Sequence, residues 1–213
     1  MVRNSRRRLV RVSRDAARHS RRTMDGMDLI DAFDSAFEEW DRLVHEVGPR
    51  QWEEPTPCSD WNVRDLVNHL VSEHLWAPHL LAGETLAQVG DRYEGDVVGG
   101  DPVAAWERAG SGSWPAFHRE GALHGDVHVT GGKSPATEYG WQMTTDLAVH
   151  GWDLARGIGV RSRMHDELAD AVYAHIAPMA ESWQGAGVFD PPVPVPDDAV
   201  PQERLVALLG RHP

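Results

Sequence analysis

The chain contains a single cysteine, Cys58, among its 213 residues. One thiol forms no intrachain disulfide, which excludes a disulfide-stapled secreted scaffold and any zinc site built from several cysteines. No run of eighteen apolar residues occurs either, so the sequence predicts no membrane span. Cys58 lies in a proline-flanked turn with no base nearby in the sequence, and we therefore do not expect it to act as a nucleophile.

Acidic and basic residues are unevenly distributed along the chain. Residues 1–23 hold nine arginines and one acid, whereas residues 24–213 hold 12 basic and 32 acidic residues, a formal net charge of −20. So acidic a body argues against nucleic acid as a partner. We expect residues 1–23 to be a disordered basic extension, with Met24 or Met27 as the start of the native chain. The alternatives are a transit peptide and a tether to nucleic acid or a membrane.

Hydrophobic periodicity predicts helices along most of the chain and no strand-rich region. The predicted helices cover residues 27–47, a segment from Asn62 to about Gly83, a segment from Pro102, a segment that opens at Ser134-Pro135 and ends near Gly157 or Gly159, residues 165–183, and a short final stretch in PQERLVALLG. Asn62 with Asp65, and Asp101 with Pro102, are typical helix starts. The sequence therefore predicts one all-α domain, residues 28–213, built as a four-helix bundle with a long irregular crossover and short additional helices.

Three ionisable residues interrupt the apolar segment that ends near Gly157. Asp146, His150 and Asp153 lie four and three residues apart in TDLAVHGWDLARG, a spacing that places them on one stripe of a helix. The other positions are mostly apolar, so we expect this helix to be buried. Burying carboxylates beside an imidazole is costly unless something compensates them, and a metal ion would do so directly.

Asp146 and His150 can reach the same ion, but a third ligand has to come from another helix. His69 in VRDLVNHLVSEHLW is the best candidate, because it lies on the inward stripe of the second predicted helix. Two imidazoles and one carboxylate would leave coordination positions open, as catalytic sites do, and they suit zinc, nickel or iron(II). The alternatives are an Asp/His pair on a solvated helix and a core histidine at position 69.

Other polar residues around these three have predicted roles as well. Glu73, one turn after His69, is a candidate for contacting the ligands or the substrate. We expect Asp153 either to accept the second imidazole proton of His150, and so fix its tautomer, or to form a surface ion pair with Arg156. The remaining histidines considered are His74 and His79, expected at the rim of the site, and His118, His124 and His128, expected in loops or at the surface.

Two separated motifs resemble one known family. TPCSDWNVRDLVNHLVSEHLW is similar to the signature of the mycothiol-dependent maleylpyruvate isomerase N-terminal domain, within the DinB-like superfamily, and TTDLAVHGWDLARGIG is similar to its second signature. VPVPDDAVPQERLVALLGRHP resembles the tail of a short, single-domain actinobacterial branch. The resemblance covers about residues 28–213. It implies a four-helix bundle that holds a divalent metal, with His69 as the first ligand, His150 as the last, and Asp146 where the isomerases have glutamate.

These observations lead to two functional hypotheses. The first is a metal-dependent transferase or isomerase, in which a small-molecule thiol attacks a small electrophile; the resemblance implies mycothiol as the thiol. The second is a non-catalytic bundle that binds a small molecule or a partner and has a structural or vestigial metal site. In either case we predict a cytoplasmic monomer or homodimer, with zinc as the first candidate metal, that binds neither nucleic acid nor membrane.

Overall fold

A computed structural model of the chain describes residues 26–58, 60–185 and 189–213. In chain order its elements are α1 (Leu29–Glu46), α2 (Val63–Leu81), α3 (Leu86–Val89), α4 (Pro102–His118), β1 (Asp126–Val129), β2 (Gly132–Pro135), α5 (Ala136–Gly157), α6 (Asp166–Ile176), α7 (Ala180–Gly185) and α8 (Pro201–Leu208). The all-α architecture predicted from the sequence is confirmed. The predicted basic extension, 1–23, lies outside the described residues.

Short polar motifs set the start of the main helices. Asp28 caps α1 by accepting a hydrogen bond from the Asp31 backbone N–H. At the start of α2, Asn62 accepts from the Asp65 N–H at 2.9 Å while the Asp65 carboxylate accepts from the Asn62 N–H at 3.2 Å. These bonds satisfy backbone donors that have no partner within the helix. The α2 start is thus the one expected from the sequence.

The four long helices, α1, α2, α4 and α5, surround one apolar core. The most extensive packing joins α1 to α5 and α2 to α4, while α5 also packs against α2. Large aromatic side chains such as Phe33, Trp40 and Trp106 are fully buried between them. The contact of α2 with α5 matters most for function, because it brings together the two helices that carry the predicted ligands. None of the described helices is long and apolar enough to cross a bilayer.

Two local features differ from the sequence-based expectation. Residues 126–135 form a small antiparallel hairpin, β1–β2, so α5 begins at Ala136, after Pro135 rather than with it. The helix predicted over 165–183 is divided into α6 and α7, and Pro178 lies in the break. Proline has no N–H to donate along a helix, so Pro178 favours the interruption, although Pro78 and Pro115 lie inside α2 and α4 without ending them.

Candidate metal centre

The helix α5 is mostly buried, and Asp146, His150 and Asp153 follow one face of it, as the spacing predicted. His150 is 7% exposed and Asp153 is fully buried. The Asp146 side chain keeps about a third of its surface exposed (33%). Of these three side chains Asp146 is the most exposed, so a solute would approach them from the Asp146 end of the helix face.

His69 comes from α2 to meet these residues. Its Nε2 lies 3.8 Å from Asp146 Oδ2, and its ring centre lies 5.3 Å from that of His150. One donor atom from each of His69, Asp146 and His150 lies within 4.8 Å of the other two. Ligands held about 2.0–2.2 Å from a tetrahedral ion would lie about 3.4 Å apart, so small side-chain rotations would close this set around an ion. The donor set therefore fits a divalent metal.

The indole of Trp61 covers both imidazoles. Its ring centre lies 4.7 Å from that of His69 and 5.6 Å from that of His150. Trp61 directly precedes the α2 cap, and Thr56 Oγ1 donates a hydrogen bond to its carbonyl. The loop before α2 thus supplies an apolar wall that limits how the two rings turn.

Asp153 forms a hydrogen bond with the ring of His150. Asp153 Oδ2 accepts a hydrogen bond from His150 Nδ1 at 3.1 Å, which leaves Nε2 as the nitrogen available to a ligand or ion. The alternative partner, Arg156, instead lies over the Trp152 ring, 5.3 Å from its centre. Of the two predictions for Asp153, the contact with His150 is the one found in the structure.

The cationic partner of Asp153 is Arg211, which sequence reasoning missed. Arg211 Nη2 donates to Asp153 Oδ2 at 2.9 Å, and its Nε donates to Oδ1 at 3.3 Å. Burial alone would raise the pKa of Asp153, but the hydrogen bonds from His150 and Arg211 outweigh it and hold that pKa below its usual range. No regular spacing links positions 153 and 211, so only the folded chain reveals this contact.

Cys58 belongs to a second group with donor atoms at similar separations, Cys58, His150 and Asp153. A metal there would face the Arg211 guanidinium, which already occupies both oxygens of Asp153. In addition, burial raises the pKa of the Cys58 thiol, which favours its protonated form. For these reasons His69, Asp146 and His150 form the better candidate centre.

Electrostatic coupling links the candidate ligands to Glu73. Burial would lower the pKa of His69, yet its interaction with Asp146 raises it above the usual value. The reverse holds for Asp146, whose pKa is lowered chiefly by His69 and His150 against the effect of burial. Burial, and next the charge of Asp146, raise the pKa of Glu73. The site thus combines a carboxylate that stays ionised with one that protonates more readily.

His74 is not a rim residue, and that prediction is wrong. It is fully buried, its Nδ1 is hydrogen-bonded to Ser113 Oγ, and its ring packs edge-on against Trp106. Burial lowers the pKa of His74 to about 3, so the imidazole is neutral. His74 follows Glu73 directly, and the rotation of about 100° per residue turns it from the metal face towards α4.

Two other histidines have unforeseen partners. His79 contacts Glu84 at 3.0 Å and the Tyr93 hydroxyl at 2.9 Å. His118, expected in a loop or at the surface, stacks on Trp114 and contacts Asp34 of α1. These imidazoles hold neighbouring elements together and lie outside the candidate centre.

A cavity of about 560 Å³ opens above His69. Its walls are aromatic and polar, and they include Trp61, Asn68, Ser72, Trp76, Tyr93 and Glu94. Among the residues that line it in the described part of the chain, His69 is the only one with a basic side chain. Of the three candidate ligands His69 lines this cavity, so the cavity meets the candidate centre through that imidazole.

The chain is similar to proteins that are already known. The family model of the mycothiol maleylpyruvate isomerase N-terminal domain matches residues 33–155. Two uncharacterised proteins of Mycobacterium tuberculosis, from strains CDC 1551 and H37Rv, are each 28% identical over 194 residues, which cover 87% of this chain and 98% of each relative. No solved structure matches the chain significantly.

Proposed function

Because the chain belongs to the mycothiol maleylpyruvate isomerase N-terminal domain family, we propose that it binds a divalent metal and uses it for thiol chemistry on a small electrophile. The reaction class is a thiol-dependent transfer or isomerisation. The observation that carries the proposal is the convergence of His69, Asp146 and His150, of which His69 also lines an open cavity.

His69 and His150 would bind the metal as neutral imidazoles, and Asp146 would bind it as a carboxylate. Asp153 keeps His150 Nδ1 occupied, so the lone pair of Nε2 is free for coordination. Asp146 is one methylene shorter than the glutamate expected in the resembled isomerases. We expect it to bind through one oxygen, because the spacing of four residues already brings it beside His150.

A divalent ion held by these residues would supply Lewis acidity, which lowers the pKa of a coordinated thiol and favours the thiolate near neutral pH. Glu73, a carboxyl group coupled to both His69 and Asp146, would take up the proton released by such a thiol. Trp61, which covers both imidazoles, would shield that side of the site from water. Zinc is our first candidate, and nickel and iron(II) fit the same ligands.

The thiol would come from a cofactor, for which mycothiol is our proposal. Cys58, the one cysteine of the chain, is a poor nucleophile because burial favours its protonated form. The cavity beside His69 offers acidic acceptors together with aromatic faces, a combination that suits a polyhydroxylated ligand better than a strongly anionic one. The electrophile would enter through the same opening.

Metal analysis of protein purified without a chelating tag tests the binding part of the proposal. Wild type should carry about one equivalent of metal per chain, and Asp146→Ala should lose it. Glu138→Ala is the matched control. Glu138 is also on α5 but pairs with His175 of α6, so this variant should keep the metal. Equal metal content in wild type and Asp146→Ala would exclude Asp146 as a ligand and require a site built from His69, Glu73 and His150.

The catalytic part is tested with mycothiol and a panel of small electrophiles, with conjugates detected by mass spectrometry. We expect conjugates that depend on both the metal and the thiol. Cobalt substitution adds a direct readout, because thiolate coordination changes the visible and near-ultraviolet spectrum. A metal-loaded protein whose spectrum ignores thiols, and which forms no conjugates, would support the non-catalytic alternative.

A further inference from the structure

The C-terminal segment turns back towards the candidate metal centre after α8. Gly210 makes this turn with a φ of +83°, a conformation that favours glycine. A Cβ on Gly210 would clash with Asp190 Cβ, so the close approach to that loop also requires glycine. The Arg211 N–H then donates to the Val206 carbonyl at 3.0 Å. This local geometry directs the Arg211 side chain inwards.

Arg211 is buried, with 9% of its surface exposed, and each of its three guanidinium nitrogens donates a hydrogen bond. Its Nε and Nη2 donate to the two carboxylate oxygens of Asp153, and its Nη1 donates to the Leu209 carbonyl at 2.9 Å. The planar fork of arginine matches a carboxylate in this two-point manner, whereas lysine provides a single point of contact. The plane of the Asp153 carboxylate is therefore fixed from the C-terminal side.

The same carboxylate holds His150. Asp153 Oδ2 accepts from both Arg211 Nη2 and His150 Nδ1, so the three side chains form a continuous hydrogen-bonded row. Buried ion pairs often stabilise a fold no more than apolar residues of the same size would. Stability alone is thus a weak reason for placing this pair against a candidate ligand.

We propose that Arg211 is a positioning residue of the metal centre: it fixes the Asp153 carboxylate, which holds His150 with Nδ1 protonated and Nε2 free. Docking of the C-terminal segment and binding of metal are then coupled, each favouring the other. The metal part of this inference rests on the proposed function, whereas the orientation and tautomer of His150 are properties of the protein without metal.

Three variants test this role. Arg211→Gln removes the charge and the fork, and Arg211→Lys keeps the charge without the fork. Arg204→Gln is the control, because Arg204 on α8 forms an exposed ion pair with Asp170 of α6, away from the candidate centre. Each protein is first freed of metal with a chelator. Nitrogen-15 NMR then reports the tautomer of His150, whose signals are assigned from a His150→Gln variant.

We expect His150 to be mainly in the Nδ1–H form in wild type and in Arg204→Gln, and to lose this preference in both Arg211 variants. Zinc affinity, measured by competition with a coloured chelator, should fall about tenfold in Arg211→Gln, less in Arg211→Lys, and not in Arg204→Gln. If Arg211→Gln fails to fold, Arg211→Lys decides the comparison through the same two measurements.

The reciprocal effect, that of zinc on the C-terminal segment, is measured by hydrogen exchange. Zinc should slow amide hydrogen exchange in residues 205–211 of wild type, and should slow it less in Arg211→Lys. An unchanged His150 tautomer in the Arg211 variants, with zinc affinity within twofold of wild type, would overturn the positioning role. If wild type binds no zinc, the proposed function fails, and the tautomer comparison still decides whether Arg211 positions His150.

Discussion

The buried imidazole of His74 predicts a loss of stability on mild acidification. In the folded protein burial lowers the pKa of His74 to about 3, whereas an unfolded chain has a histidine pKa of about 6.5. The unfolded state therefore binds more protons below pH 6.5. Because protons bind preferentially to the unfolded state, they destabilise the fold. The contribution of neutral His74 to the free energy of unfolding is therefore fully present above pH 6.5 and is lost progressively down to about pH 3.

The magnitude follows from the pKa difference. One pKa unit corresponds to about 1.4 kcal/mol, so acidification from pH 7 to pH 5 should remove about 2 kcal/mol of unfolding free energy through His74 alone. His74→Gln removes the titrating group and retains an amide that can hydrogen-bond Ser113. The variant is expected to be less stable than wild type at pH 7, because it loses ring contacts with Trp106 and Phe37.

The diagnostic quantity is how the stability difference between wild type and His74→Gln changes with pH. Urea denaturation of the chelator-treated proteins, followed by tryptophan fluorescence, gives the unfolding free energy at pH 7 and pH 5. The deficit of His74→Gln should shrink by about 2 kcal/mol between the two values, while the exposed His124→Gln control should follow wild type. Parallel losses in wild type and His74→Gln would show that His74 does not stay neutral in the fold.

Four further substitutions, at three positions, have definite expected outcomes. Asp146→Glu should largely retain zinc and Asp146→Asn should hold it more weakly, as metal analysis and melting with added zinc would reveal; loss of metal from Asp146→Glu would contradict the proposed coordination. Gly210→Ala places a Cβ against Asp190 at a positive φ and should cost about 1–3 kcal/mol, so an unchanged melting temperature would refute the turn described here. Tyr139→Phe removes a buried hydroxyl that has no hydrogen-bond partner within the described residues, so we expect stability within about 1 kcal/mol of wild type or slightly higher; a loss above about 2 kcal/mol in denaturation would mean that the hydroxyl is bonded.

Local signals explain which parts of the fold were predictable. The cap formed by Asn62 and Asp65 involves residues three positions apart, so the sequence contains everything that determines it. The division between α6 and α7 was also locally encoded, by Pro178, but the apolar periodicity of 165–183 concealed it. A long apolar stripe therefore predicted that a segment is helical, but it did not predict where the helix is interrupted.

The candidate site divides in the same way. Asp146, His150 and Asp153 share a helix, and their mutual placement follows from spacing alone. The burial of His74 depends on Ser113, which lies 39 residues away on another helix. Arg211 lies 58 residues from Asp153 and reaches it only through the turn at Gly210. Contacts of this kind arise when helices pack, and no periodicity in one segment contains them.

The placement of Arg211 also determines the charge that a metal would meet. With both imidazoles neutral, Asp153 and Arg211 cancel each other within hydrogen-bond distance. Asp146 is then the one ligand carboxylate facing a divalent ion, and Glu73 is the carboxyl group beside it with the raised pKa. The centre would keep about one unit of positive charge, which favours an anionic further ligand. A thiolate satisfies that requirement and a neutral thiol does not. The arginine supplied by the C-terminal segment thus makes the chemistry proposed for this site electrostatically consistent, because without it the charge of Asp153 would offset the remaining positive charge that favours a thiolate.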